Sequence, residues 1–366
     1  MFYYLSNFQD WFGPLRLFRF ITFRAGGALF TSMLLVLLLG PLTIKILHKL
    51  KVYSPGRLNG LLPEKELTRK KDQTPMMGGV LIIFAITLSS LLWGRFFNPL
   101  LPLFLITLLA FGGLGFADDY MKIKRGREGM SGKLKLLVQF IIASAAVGAL
   151  FMIPVSRPYM YQFMIPFFKY PIMVGVAGAV FSIIIGILSM MGASNAVNLT
   201  DGEDGLAVGC IIFSGLVYAI FAYICGHKFF AEYFAVPFIA GSGEVAIFAA
   251  SIAGASIGFL WYNCHPASMF MGDTGSLALG GSIAFIAVLV KQEILLILAG
   301  GVFVIEAGSV IIQVASFKLR GKRVFLMTPI HHHFEKKKWK EEKIVVRFWI
   351  LAGICALAAL ATLKIR

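Results

Sequence analysis

Acidic side chains are scarce in this chain. Its 366 residues hold 18 Asp and Glu against 34 Lys and Arg, and all charged residues together make up 14%. A soluble globular domain carries roughly 25%, so a surface wetted all round is excluded. Cysteine is scarce too. Cys210, Cys225, Cys264 and Cys355 form no C-x-x-C pair, which argues against a disulfide framework and a cysteine-built zinc site. A cleavable leader is not expected: MFYYLSNFQDWFGPL lacks a basic start, and the apolar run after it is too long for a signal peptide. The aromatic, amphipathic content of residues 1–15 suits a segment lying along a membrane interface. Internal repeats, low-complexity tracts and room for a separate soluble domain are also missing.

What the chain has instead is apolar length. Hydrophobic residues make up 58%, in recurring uncharged runs of the roughly 20 residues that a helix needs to cross a bilayer. A β-barrel would show shorter, alternating segments. The expected fold is an all-α integral membrane protein, a single polytopic domain over 1–366 with about ten transmembrane helices. Their expected places are 22–47, 76–94, 99–117, 135–154, 172–191, 206–225, 244–262, 275–291, 294–316 and 345–364. Loops after odd-numbered spans carry 22 Lys and Arg, and those after even-numbered spans carry 5. The basic excess marks the cytoplasmic side, which puts the loops near 48–75, 118–134, 192–205, 263–274 and 317–344 inside and both termini on the periplasmic side. The net charge of +16 is thus a topology signal with attraction to anionic lipid, and no nucleic-acid partner is expected.

The few aspartates are not spread evenly. Five of seven fall in three of those inner loops: Asp118 and Asp119, Asp201 and Asp204, and Asp273. Adjacent acids at the end of a membrane helix oppose both the hydrocarbon and the helix dipole unless a cation or charged ligand compensates them. Asn195, Asn198, Asp201 and Asp204 crowd a loop without Lys or Arg, where Asp204 also reads as a cap for the sixth span. Asp273 stands just before a helix start near Gly275, where free N–H groups favour phosphate and a carboxylate suits Mg²⁺. His331, His332 and His333 are consecutive, so at most two of them face one ligand; zinc is an alternative to an anionic substrate there. Glu306, inside the ninth span, reads equally as functional or as a paired structural group. Gly254 and Gly258 form a G-x-x-x-G read as close helix packing.

At these residues the chain resembles the polyprenyl-phosphate N-acetylhexosamine-1-phosphate transferases. TPMMGG, FADDY, NAVNLTDGEDGLA, PASMFMGDTGSLALGG, SFKLRGKRVFLMTPIHHHFE and VVRFWI carry the likeness from end to end, in the family's order. TPIHHHFE points to the members whose donor is UDP-N-acetylmuramoyl-pentapeptide. The resemblance implies transfer of the phospho-sugar from that donor to undecaprenyl phosphate, giving lipid I and UMP, with Mg²⁺ as cofactor, a homodimer, and a site facing the cytoplasm of a bacterial inner membrane. By the same likeness Asp273 and Asp119 hold Mg²⁺, and Asp118 acts as base or nucleophile. Lys71, Thr74, Lys133, Asn198, Asp201, Asp204, Asn263, Phe270 and His331 to His333 contact substrate. Met76 and Glu203 depart from the family's usual residues. Three alternatives remain. A relative using UDP-N-acetylglucosamine is the first. A cation transporter is the second, although its acids would lie near the midplane. A CDP-alcohol phosphotransferase is the third, although its D-G-x-x-A-R signature is missing after Asp204-Gly205.

Overall fold

The computed structural model describes residues 1–53, 74–125 and 129–365. Ten apolar helices run through it: α1 Ile21–Lys49, α2 Gly79–Trp93, α3 Leu100–Arg125, α4 Gly132–Met152, α5 Gly175–Thr200, α6 Leu206–Cys225, α7 Gly243–Asn263, α8 Gly272–Leu289, α9 Gly301–Arg320 and α10 Glu341–Ala361. Nine of these are long and apolar enough to cross a membrane; α2, with 15 residues, is shorter. Among the described residues the strand content is one two-stranded antiparallel pair, Gln162–Phe163 with Met173–Val174. The chain is an all-α, multi-pass membrane protein, as its run lengths required.

α8 sits at the centre, with every residue from Gly272 to Leu289 buried. It packs chiefly against α3 and α5, while α7 lies between α1 and α6. The closest approaches occur where side chains are missing. A methyl group on Gly254 would stand 2.1 Å from the Leu29 carbonyl oxygen, and one on Gly258 would stand 2.7 Å from that of Met33. The G-x-x-x-G is therefore the contact face of α7 on α1, as expected. Gly115 of α3 plays the same part against α8, where an added Cβ would meet the Asp273 carbonyl oxygen at 2.1 Å. That contact sets Asp119, one turn further on, against the first turn of α8.

At the far end of the bundle, Arg24 of α1 and Glu244 of α7 form a buried two-pronged ion pair, both contacts 2.7 Å. The Arg95 N–H also donates to Glu244 (2.9 Å), and Arg24 donates to the Trp93 carbonyl (3.1 Å). This polar knot ends α2 early. Residues 2–8 and 13–19 form two short 3-10 helices beside it, with Trp11 and Phe12 exposed.

Three elements differ from expectation in ways that bear on the site. α3 and α5 continue past the hydrocarbon-length runs, to Arg125 and Thr200. Asp118, Asp119 and Asn198 therefore stand on helices, not in loops. The ninth span is interrupted: a turn at Leu296–Ala299 precedes Gly300, and α9 restarts at Gly301.

Candidate active site

The ends of α3, α4, α5 and α8 converge on one boundary of the bundle. Asp118 is buried and accepts the Met130 N–H at 2.6 Å. Its other oxygen lies 2.7 Å from Lys122 Nζ and 3.5 Å from Lys135 Nζ. Asp273, in the first turn of α8, meets the same two ammonium groups, Lys122 at 2.9 Å and Lys135 at 2.5 Å. Its second oxygen accepts from Asn198 Nδ2 at 2.9 Å, and Asn198 also reaches the Ser276 hydroxyl at 2.9 Å. Asp119 lies beneath this pair, fully buried. It accepts the backbone N–H groups of Asp273 (3.1 Å) and Thr274 (2.9 Å) and the Thr274 hydroxyl (2.8 Å). Asp119 thus serves as the N-terminal cap of α8 from another helix, satisfying donors the helix leaves free, and it anchors Asp273 in place. Helix α8 can begin here because Gly272 adopts a left-handed φ of +72°, where a Cβ would collide with Asp119 Oδ2 at 2.6 Å.

Three carboxylates face two ammonium groups here, and all five side chains are largely removed from water. Oxygen donors on separate helices suit a hard divalent cation such as Mg²⁺. Lys122 and Lys135, bridging Asp118 to Asp273, put positive charge between the two carboxylates.

The remaining expected residues form a second layer. Asp201 ends α5, half-buried. Asp204 does not cap α6; Gly205 occupies that position with a left-handed φ and no side-chain cap bond. Asp204 Oδ2 instead lies 3.0 Å from His265 Nδ1 and accepts the Ala267 N–H at 3.1 Å, tying the 201–205 turn to the 264–268 loop. Asn263 does the same, accepting the Gly205 N–H at 3.2 Å and donating to the Met269 carbonyl at 2.9 Å. Phe270 is half-buried, and its backbone pairs with Pro75 and Gly78 at 2.8 Å each. Thr74 reaches the Ala267 carbonyl at 3.4 Å. Lys133 is exposed and makes no ion pair among the described residues. Lys71 lies outside the described residues.

The three histidines divide their work. They stand on the short helix Ile330–Lys336, folded back onto α9. His331 is fully buried, its Nδ1 3.1 Å from Glu306 Oε2 and its Nε2 against Gly202, with no hydrogen-bond partner. His332 Nδ1 lies 2.6 Å from Glu335. Burial pushes the Glu335 carboxyl up, but the hydrogen bond and charge of His332 outweigh it and hold the group below the usual glutamate range. His333 accepts the Leu326 N–H at 3.1 Å. Glu306 is therefore a paired group, the partner that orients His331.

Two clusters with metal-ligand spacing occur among the described residues, Glu203–His332–Glu335 and Asp204–His265–Glu341. The hydrogen bonds His332–Glu335 and His265–Asp204 account for the close spacing in each.

Sequence reading passed over Lys122 and Lys135 as site partners and left Glu306 open between a functional and a paired structural role. Lys122 had a legible signal, four residues after Asp118 on one helix face. Lys135 had none, since α4 approaches Asp273 only in the folded bundle.

Acids and lysines gather at one boundary of a polytopic helical bundle, and the chain belongs to glycosyl transferase family 4, whose model matches residues 101–291. It is 48% identical over 368 residues to the phospho-N-acetylmuramoyl-pentapeptide-transferase of Methylacidiphilum infernorum (isolate V4), with the whole of both chains covered. To the protein of the same name from Desulfotalea psychrophila (strain LSv54 / DSM 12343) it is 49% identical over 369 residues, again end to end.

Proposed function

We propose that this protein transfers phospho-N-acetylmuramoyl-pentapeptide from its UDP conjugate to undecaprenyl phosphate. An oxygen of the lipid phosphate attacks the sugar-linked phosphorus, the diphosphate bond breaks, and UMP leaves as lipid I forms. The observation that carries this reading is the Asp118–Lys122–Lys135–Asp273 constellation: two buried carboxylates on separate helices share the same two cations. Phosphoryl transfer is catalysed mainly by positioning and charge neutralisation, and such a site supplies both. The relatives' names, together with end-to-end identity near one half, favour the muramoyl donor over UDP-N-acetylglucosamine.

The oxygens of Asp273 and Asp118 fit Mg²⁺, with Asp119 holding Asp273 in register from below. When bound, the ion would neutralise the diphosphate and the leaving UMP. Lys122 and Lys135 would contact phosphate oxygens. A phosphate monoester with a second pKa near 6 is already mostly dianionic at neutral pH, so Asp118 has little proton to remove; it orients the acceptor or, in a two-step route, attacks first. Asn198 and Asp201 face the donor, while Asp204 and Asn263 shape the turn that receives it. A cavity of about 280 Å³ lies between α5, α6, α8 and α9, lined by Val197, Ala193, Ile211 and Ile311 among others. It suits the first isoprene units of the acceptor. In this reading the site faces the cytoplasm, both termini lie outside, and the enzyme is a homodimer.

Mass spectrometry of products from purified protein, undecaprenyl phosphate, Mg²⁺ and each UDP-sugar tests the reaction. Lipid I and UMP from the muramoyl donor are expected; product only from UDP-N-acetylglucosamine would move the chain to the related activity. Exchange of labelled UMP into the donor without lipid would select the two-step route.

A further inference from the structure

A second cavity, about 500 Å³, opens where α9 leaves the bundle, between its last turns and the returning segment 323–336. Val314, Phe317, Leu326 and Met327 form its apolar wall, and Lys318, Arg323 and Lys336 supply its charge. Among the described residues its lining contains no acid. Lys318 and Arg323 are exposed and form no ion pair among the described residues. The pocket is built, not accidental. Gln313 accepts the N–H groups of Val324 and Phe325 at 2.9 Å each and donates to the Phe325 carbonyl at 3.1 Å, and Ser316 donates to the Lys322 carbonyl at 2.9 Å. These four bonds fold the segment back against α9.

This pocket follows the tail cavity along one face of α9. Val304, Ala307 and Ile311 line the apolar cavity from α9. Val314 and Lys318 follow Ile311 at three and seven residues, the spacing of one helix face. Along α9 an apolar groove inside the bilayer therefore runs into a cationic pocket at its boundary. A single-chain lipid ending in a phosphate matches that order of surfaces. A soluble peptide or a free phosphate matches only one half of it.

We propose that the Lys318–Arg323 pocket is the entry site for the acceptor, holding the phosphate of a polyprenyl monophosphate while its tail enters the α5–α9 groove, before the phosphate moves on to Asp118 and Asp273. The inference rests on the acceptor assigned above. The residues belong to no part of the catalytic constellation, so their role is read in acceptor capture and not in chemistry.

The test is K318A/R323A, with K45A/K49A as control, two exposed lysines at the same end of α1. Initial rates are measured in nanodiscs of zwitterionic lipid, varying undecaprenyl phosphate and donor separately. The pocket variant should show a KM for undecaprenyl phosphate raised about 10- to 30-fold, the loss of two cations near a membrane surface. Its donor KM and kcat should stay within about twofold of wild type, and the exchange variant K318R/R323K should restore the KM. The control should behave as wild type. A rise confined to the donor KM would give the pocket to the donor's peptide and overturn the proposal. An equal shift in K45A/K49A would reduce it to general surface charge, and no shift would refute it. Native mass spectrometry with undecaprenyl phosphate against phosphatidylglycerol reads binding without turnover. Equal retention of both lipids, or equal polyprenyl-phosphate binding by wild type and K318A/R323A, removes the site. A wild-type protein that binds but makes no lipid I fails the proposed reaction and leaves the pocket standing.

Discussion

Asp119 and Asp273 both belong to the acidic cluster, yet their geometry predicts different failures when each is replaced. Asp119 is fully buried and receives three hydrogen bonds from the first turn of α8. In Asp119→Ala two buried backbone N–H groups lose their acceptor, at about 1–3 kcal/mol each, while the Thr274 hydroxyl can rotate to another partner. Relief of repulsion from Asp273 returns part of this, leaving a net loss of about 2–4 kcal/mol. Asp119→Asn keeps one acceptor oxygen and should lose about half as much. Thermal unfolding in detergent should rank wild type above Asp119→Asn above Asp119→Ala. Turnover should fall in the same order because Asp273 loses its footing. The Mg²⁺ concentration for half-maximal rate should stay within about twofold in Asp119→Asn, since Asp119 acts through the helix. Asp273→Asn should do the opposite, keeping the fold yet giving no activity across a Mg²⁺ titration. Wild-type melting in Asp119→Asn, together with a tenfold rise in Mg²⁺ requirement, would make Asp119 a direct ligand and refute this account; wild-type turnover in Asp273→Asn would remove the metal assignment.

Three further outcomes follow from the same geometry. Lys135→Ala should cut kcat by about 100-fold, the scale seen when one preorganised charge donor is removed, whereas Lys133→Ala should stay near wild type; equal effects in steady-state assays would undo the distinction. Arg24→Leu strands Glu244 in the far end of the bundle and should destabilise the protein by about 3–5 kcal/mol, with the specific activity of the folded fraction unchanged; a variant that melts like wild type would show the pair to be neutral. Glu335 is held below the usual glutamate range by His332, so its contribution to stability is present at neutral pH and fades on acidification through that lowered value. Removing the partner in His332→Ala closes the gap between the folded and unfolded values, so this acid-dependent loss should shrink or vanish in a melting-versus-pH series, and superimposable profiles would show the pairing contributes nothing.

Much of this molecule was legible one residue at a time. Helix α6 falls on its expected limits of 206 and 225, because its apolar run is bounded by Gly205 and Gly226. Helices α3 and α5 ran longer than expected, because polar residues such as Asp118 and Asn198 continue a helix outside hydrocarbon when neighbouring helices satisfy them. The interruption near Gly300 was missed because Leu296–Ala299 and the start of α9 form one apolar stretch with no charge to mark the break.

Within the site the division is sharper. Residue type and spacing picked out Asp118, Asp273 and Asn198, since an acid beside hydrocarbon is costly wherever it occurs in the chain. They could not assign Asp119 to capping, bring Lys135 to Asp273, or pair Glu306 with His331. Those three facts depend on a Gly115–Asp273 backbone contact, on the rotation of α4, and on the fold-back of 330–336 onto α9. By itself the sequence determined a many-pass helical protein and the acids it gathers at one boundary, because transfer from water into lipid is settled segment by segment. Tertiary structure decided which oxygen meets which donor, because a hydrogen bond is settled within a few tenths of an ångström by helices far apart in the chain.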